Sequence, residues 1–107
     1  MSPDVKEKID SLVTSNKILV FMKGTKLMPQ CGFSNNVAQI LNSLGAPYET
    51  IDVLSDYDIR QGIKEYSNWP TIPQVYINGE FIGGSDIMIE LYQNGKLQEM
   101  GEVALAS

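Results

Sequence analysis

The stretch WPTIPQVYINGEFIGG, residues 69–84, places short β-forming runs between turn formers and so decides how the chain ends. Gln74 to Ile77 reads as a strand, Asn78-Gly79 as a two-residue hairpin turn, and Phe81-Ile82 as the returning strand. Gly83-Gly84 closes that strand, and Ser85 or Asp86 can cap a helix running through Leu91. Pro70 and Pro73 stand directly before the first strand. A cis bond at Pro73 would leave the preceding backbone groups unpaired and open to an extended peptide; the same residues also suit an ordinary turn with Trp69 packed in the core.

Upstream, Ile18 to Met22 is a continuous apolar run, as expected of a strand buried on both faces, and it delivers Lys23-Gly24 to a loop. Val37, Ile40, Leu41 and Leu44 recur at helical spacing, and Gly45 with Pro47 stops that helix, so Cys31 lies at its start. Tyr48 to Val53 reads as a strand, and Asp56 to about Tyr66 as a helix with Ile59 and Ile63 inward. The chain opens with a helix to about Asn16, capped by Ser2 with Pro3 as its first residue and with Val5, Ile9, Leu12 and Val13 as its apolar stripe. Asn94-Gly95 interrupts the end of the chain before a last turn or two near Leu97 to Ala104. A βαβ unit followed by a hairpin is the order of an α/β, thioredoxin-like fold: a four-stranded mixed sheet flanked by helices, formed by residues 1–107 as one domain.

Composition narrows the function. Eight basic residues against thirteen acidic ones give a net charge of −5, which argues against a nucleic-acid or anionic-membrane partner. No apolar run approaches the roughly 20 residues of a membrane span, so a soluble protein is expected. A free thiol without a disulfide points to a reducing compartment, the bacterial cytoplasm or, for a mature chain, the plastid stroma. With one cysteine and no histidine there is neither an internal disulfide nor a Cys/His zinc set within one chain. Thiol chemistry must recruit a second molecule.

A thiolate beginning a helix gains from the positive helix end and from unpaired N–H groups. A lone cysteine is more often a small buried hydrophobe, but Cys31 follows a loop containing Gly24 and Pro29 and precedes Gly32, which allows close backbone approach to a ligand. Lys23, Arg60 and Lys64 could supply cations to a carboxylate, although Arg60 and Lys64 equally suit a solvated helix face. Gly83-Gly84-Ser85-Asp86 offers free N–H groups and a carboxylate, suited to an amino-acid zwitterion or to a plain helix cap.

Together, Cys31-Gly32-Phe33-Ser34, the preceding Lys23-Gly24, Trp69-Pro70-Thr71-Ile72-Pro73 and Gly83-Gly84-Ser85-Asp86 resemble the CGFS-type monothiol glutaredoxins. The similarity extends through Arg60-Gln61-Gly62 and Tyr66 to Pro70, and covers nearly the whole chain. It implies a glutathione site with Cys31 facing the glutathione sulfur, Lys23 and Arg60 on the glycine carboxylate, and Ile72 pairing its backbone. Ser85 and Asp86, beside Gly84, would hold the γ-glutamyl end. It also implies a cis Pro73, Phe33 packed beside the active site, and Thr71 in the groove. Many relatives carry a cysteine where this chain has Ser85, so intramolecular resolution of Cys31 is excluded here.

The resemblance further implies a [2Fe–2S] cluster bridging a homodimer through two Cys31 thiolates and two glutathiones, and its transfer to acceptor apoproteins. The ligand count agrees, since such a cluster takes four ligands and one chain offers one thiol. A BolA-like protein is an implied heterodimer partner. The alternative is a glutathione-dependent thiol–disulfide oxidoreductase that removes glutathione from proteins, at most a weak activity here and the one that would involve electron transport. The Gly32-Phe33-Ser34 sequence and the approach loop Thr25 to Pro29 favour the cluster carrier.

Overall fold

The computed structural model describes residues 1–106. Elements follow in the order α1 (Pro3–Ser15), β1 (Ile18–Met22), α2 (Gly32–Leu44), β2 (Glu49–Asp52), α3 (Tyr57–Ser67), β3 (Gln74–Ile77), β4 (Glu80–Gly83), α4 (Ser85–Gln93) and α5 (Lys96–Ala106). The strands form one mixed sheet in the order β2-β1-β3-β4, with β1 parallel to β2 and antiparallel to β3, and β3 antiparallel to β4. This is the thioredoxin-like arrangement expected.

Every residue of β1 is buried, because helices cover both faces of the sheet. Ile18, Val20 and Met22 face Val37, Leu41, Met88 and Leu97, from α2, α4 and α5. Leu19 and Phe21 face Ile9, Val13, Ile59 and Ile63, from α1 and α3. Strand pleating divides the run between the two layers, which is why it shows no alternation of polarity. Helices α1 and α3 approach closely at Gly62, where an added Cβ would come within 2.7 Å of Val5 Cγ1.

The local signals act where their chemistry places them. Ser2 Oγ accepts from Val5 N at 3.2 Å at the start of α1, and Asp56 Oδ1 accepts from Ile59 N at 3.1 Å at the start of α3. Asn78 and Gly79 have φ of 53° and 82°, the doubly left-handed turn that matches the twist of a hairpin.

Strand β4 and the end of α4 each extend one or two residues beyond expectation, and three other boundaries differ for a physical reason. Strand β2 is shorter than Tyr48 to Val53: Tyr48 is turned to α2, its Oη donating to Asn42 Oδ1 at 2.7 Å, and the chain turns at Val53, whose N–H still donates to Met22 O at 2.9 Å. Helix α4 is capped by Gly84 and not by Ser85 or Asp86, which already lie within it. The last turn or two is a full helix, α5, because Leu97 and Ala104 are buried against the sheet and stabilise a segment of modest local propensity. No helix among the described residues is long and apolar enough to cross a membrane.

Candidate functional site

Strand β1 ends at Met22 and the chain turns at Lys23-Gly24 into the loop that delivers Cys31. Asp52, the last residue of β2, holds this turn: its Oδ1 accepts from Gly24 N and from Leu54 N, each at 2.9 Å. Gly24 has φ 93°, and a Cβ there would meet Met28 O at 2.5 Å, so only glycine fits. Gln30 N donates to Lys23 O at 2.9 Å and closes the loop, bringing Cys31 to the N-cap of α2 in extended conformation (φ −150°, ψ 140°).

Ser34, fully buried in the first turn of α2, connects the two sides of this loop. Its Oγ accepts from Lys23 N at 3.1 Å. Burial pushes the half-buried Cys31 thiol up, but the backbone N–H groups of Ser34 and Phe33, the Ser34 hydroxyl and the Lys23 ammonium outweigh it. The thiol therefore lies below its ordinary pKa, as a thiolate at a helix start should.

The opposite wall is the segment Trp69 to Pro73. The Ile72–Pro73 bond is cis, as the resemblance implied. Ile72 has its side chain buried in the α1/α3 layer while its backbone stands ahead of β3, outside the ladder. Gln74, fully buried at the start of β3, donates from Nε2 to Trp69 O at 3.0 Å and to Thr71 O at 3.1 Å.

The third side is the N-terminus of α4. Gly84 packs so closely against this segment that an added Cβ would lie 3.1 Å from Pro73 O. No side chain caps α4, so its first N–H groups remain available to an anion, with the Asp86 carboxylate in the same turn. Asn36 Nδ2 and Ser85 Oγ stand 3.5 Å apart, joining α2 to this corner.

These three sides enclose a cavity of about 430 Å³, within the range of small-ligand sites. Of the residues named from sequence, Lys23, Cys31, Phe33, Thr71, Ile72, Pro73, Gly84, Ser85 and Asp86 all line it. Phe33 does so from the rim, 60% exposed. Arg60 is not in the lining; it lies one turn back on α3, with its Nε buried and without a hydrogen-bond partner. Lys64 takes the wall position. Trp69, Pro70 and Ile87 complete the lining. The spacing of four between Arg60 and Lys64 was the available signal, but spacing alone cannot say which of two cations on one face reaches the cavity.

Comparison with known proteins agrees with this geometry. The Glutaredoxin family profile matches residues 18–82, from β1 through β4. The chain is 80% identical, over the full length of both, to a protein of Synechocystis sp. described as an uncharacterized monothiol glutaredoxin, ycf64-like. It is 54% identical over 107 residues to the chloroplastic monothiol glutaredoxin-S7 of rice, of whose length it spans 64%. Among solved structures, the solution structure of reduced poplar apo GrxS14 superposes with a TM-score of 0.85 at 56% identity, covering 99% of this chain and 97% of that one. The buckwheat glutaredoxin–glutathione complex superposes with a TM-score of 0.84 at 32% identity, covering 94% and 90%. A thioredoxin-like sheet that presents one cysteine at a helix start beside a cis-proline wall, matched along its length by such relatives, places the chain in the monothiol branch of the glutaredoxin family.

Proposed function

We propose that this protein is a CGFS-type glutaredoxin that binds glutathione in the cavity beside Cys31 and carries a [2Fe–2S] cluster, as cargo, between two copies of the chain. The carrying observation is a single thiol with a lowered pKa on the wall of a cavity of about 430 Å³ that has cations on one side and a helix N-terminus with a carboxylate on another. A γ-glutamyl tripeptide carries a free carboxylate at one end and an amino-acid zwitterion at the other, which that charge arrangement suits.

In this reading Lys23, Lys64 and Arg60 hold the glycine carboxylate, Thr71 and Ile72 pair the extended backbone, and Gly84, Ser85 and Asp86 hold the γ-glutamyl end. Phe33 and Pro73 border the sulfur. Cys31 and the glutathione thiol together provide two ligands per chain, so two chains supply the four that the cluster takes. Two of these four are held without a covalent bond to protein, which suits release to an acceptor apoprotein. A BolA-like protein is proposed as a heterodimer partner, and a reducing compartment, the bacterial cytoplasm or the plastid stroma, as the location.

The lowered thiol pKa also supports a second activity. The Cys31 thiolate attacks the glutathione sulfur of a protein mixed disulfide, and the protein leaves as thiolate. A second glutathione thiolate then attacks the Cys31–glutathione bond, releasing oxidised glutathione and restoring the Cys31 thiolate.

Anaerobic reconstitution with iron, sulfide and glutathione separates the two readings. A coloured dimer with one iron and one glutathione per chain is expected, and Cys31→Ser should abolish the colour without altering the fold. A colourless monomer that still deglutathionylates proteins would leave only the reductase.

A further inference from the structure

Among the described residues, Gln74 is the one large amide or charged side chain that the core keeps fully buried, and the cavity lining does not include it. It pairs with Phe21 across the β1–β3 ladder and shares a strand face with Tyr76, in the apolar layer beneath α1 and α3. A buried amide is costly unless hydrogen-bonded. Its two donor bonds, to Trp69 O and Thr71 O, are made, while Oε1 is buried with no partner. The acceptor side therefore contributes nothing that an apolar side chain of the same size would lack. Only the donor side gives the amide a purpose, and both of its bonds end on the segment that walls the cavity.

Apart from the buried Ile72 side chain and the Trp69 ring against Phe81, that segment has few backbone hydrogen bonds to hold it. Pro70 and Pro73 have no N–H, and the backbone ahead of Gln74 lies outside the strand ladder. Its beginning is tied to α3, where Trp69 N donates to Lys64 O at 3.1 Å and to Ser67 Oγ at 3.1 Å. On the far side it rests against Gly84, where an added Cβ would come within 3.1 Å of Pro73 O and 3.8 Å of Trp69 Nε1. Between these supports, the Gln74 amide ties two carbonyls two residues apart and so fixes the curvature of the wall.

We infer that Gln74 is a positioning residue for glutathione: its amide holds the Trp69–Pro73 wall at the spacing from the α4 N-terminus that the tripeptide requires. The inference rests on the glutathione reading of the cavity. Gln74 acts on the wall alone, because Cys31 takes its thiolate character from Ser34, Phe33 and Lys23 on the other side.

The test measures reduced-glutathione affinity by calorimetry, the Cys31 alkylation rate, and the fluorescence of Trp69, the sole tryptophan, in wild type, Gln74→Leu and Gln74→Glu. Loss of two buried donor bonds should weaken glutathione roughly tenfold in Gln74→Leu. The alkylation rate should stay at the wild-type value while the Trp69 emission shifts. Gln74→Glu has no donor when ionised and one when protonated, so its affinity should recover in part as pH falls. Wild-type affinity in a folded Gln74→Leu would overturn the inference, as would slowed alkylation or unfolding in both variants, which would mark a general structural role. If wild type itself binds no glutathione, the reading of the cavity falls first and this inference with it.

Discussion

Cys31 illustrates how a helix start sets a thiol's chemistry, with Lys23 reaching it from across the loop. Desolvation opposes the thiolate, and four nearby groups overcome it, the backbone N–H groups of Ser34 and Phe33 being the largest. The Ser34 hydroxyl works in both directions, accepting from Lys23 N at 3.1 Å and donating to the thiolate. Ser34→Ala should therefore raise the thiol pKa while leaving the backbone contributions in place. The pH at which alkylation reaches half its maximal rate should move upward from a wild-type value that lies below that of a free cysteine. An unchanged profile would remove the hydroxyl from the thiolate's surroundings. The placement of Cys31 at a helix start was legible in the sequence from the loop before it and the apolar spacing after it. The role of Ser34 was not, because its partner Lys23 lies on the other side of the loop, beyond the end of β1.

At the scale of an element, α3 shows how one helix face can present two cations to different depths. Arg60 and Lys64 stand four apart; Lys64 lines the cavity, while Arg60 has its Nε buried beside it on the same helix. If both serve the carboxylate of glutathione, Arg60→Ala and Lys64→Ala should each weaken binding by about 1–3 kcal/mol, the scale of one hydrogen bond to a charged group. Calorimetry showing loss in Lys64→Ala alone would give the carboxylate to Lys64 and leave Arg60 a packing role. The helix itself was readable from Asp56, Ile59 and Ile63, because capping and amphipathic spacing are local properties. The depth reached by each cation depends on how α3 is seated against the sheet, which no local pattern encodes.

Across the whole molecule, α1 and α3 are joined at the surface as well as through the core. Asp56 Oδ2 accepts from Lys8 Nζ at 2.9 Å, and this bond, followed by that from Ile59 N, holds the Asp56 carboxyl below the usual carboxylate range. A carboxyl whose folded pKa is depressed stabilises the fold above its unfolded value of about 3.9, and that contribution disappears as pH falls through the folded pKa. Asp56→Asn keeps the helix cap and removes the charge, so it should be less stable than wild type at neutral pH and converge with it in acid. Denaturant unfolding at several pH values measures this; a constant difference across the range would assign the effect to something other than ionisation. The element order, the doubly covered strand and the hairpin were determined by the sequence itself, since apolar spacing, caps and φ-restricted turn residues act over a few neighbouring positions. So was the presence of a single thiol, which obliges any thiol chemistry to use a second molecule. Only the tertiary structure decided the cap at Gly84, the full length of α5, the wall position of Lys64 over Arg60, and the bonds that Asp52 and Gln74 make to the site's loops. The seat of α5, the depth of Lys64 and the Asp52–Gly24 bond join residues far apart in the chain, so their energy comes from packing and long-range hydrogen bonds. The Gly84 cap and the Gln74 bonds span only a few residues, but they form in loop conformations that the surrounding elements impose.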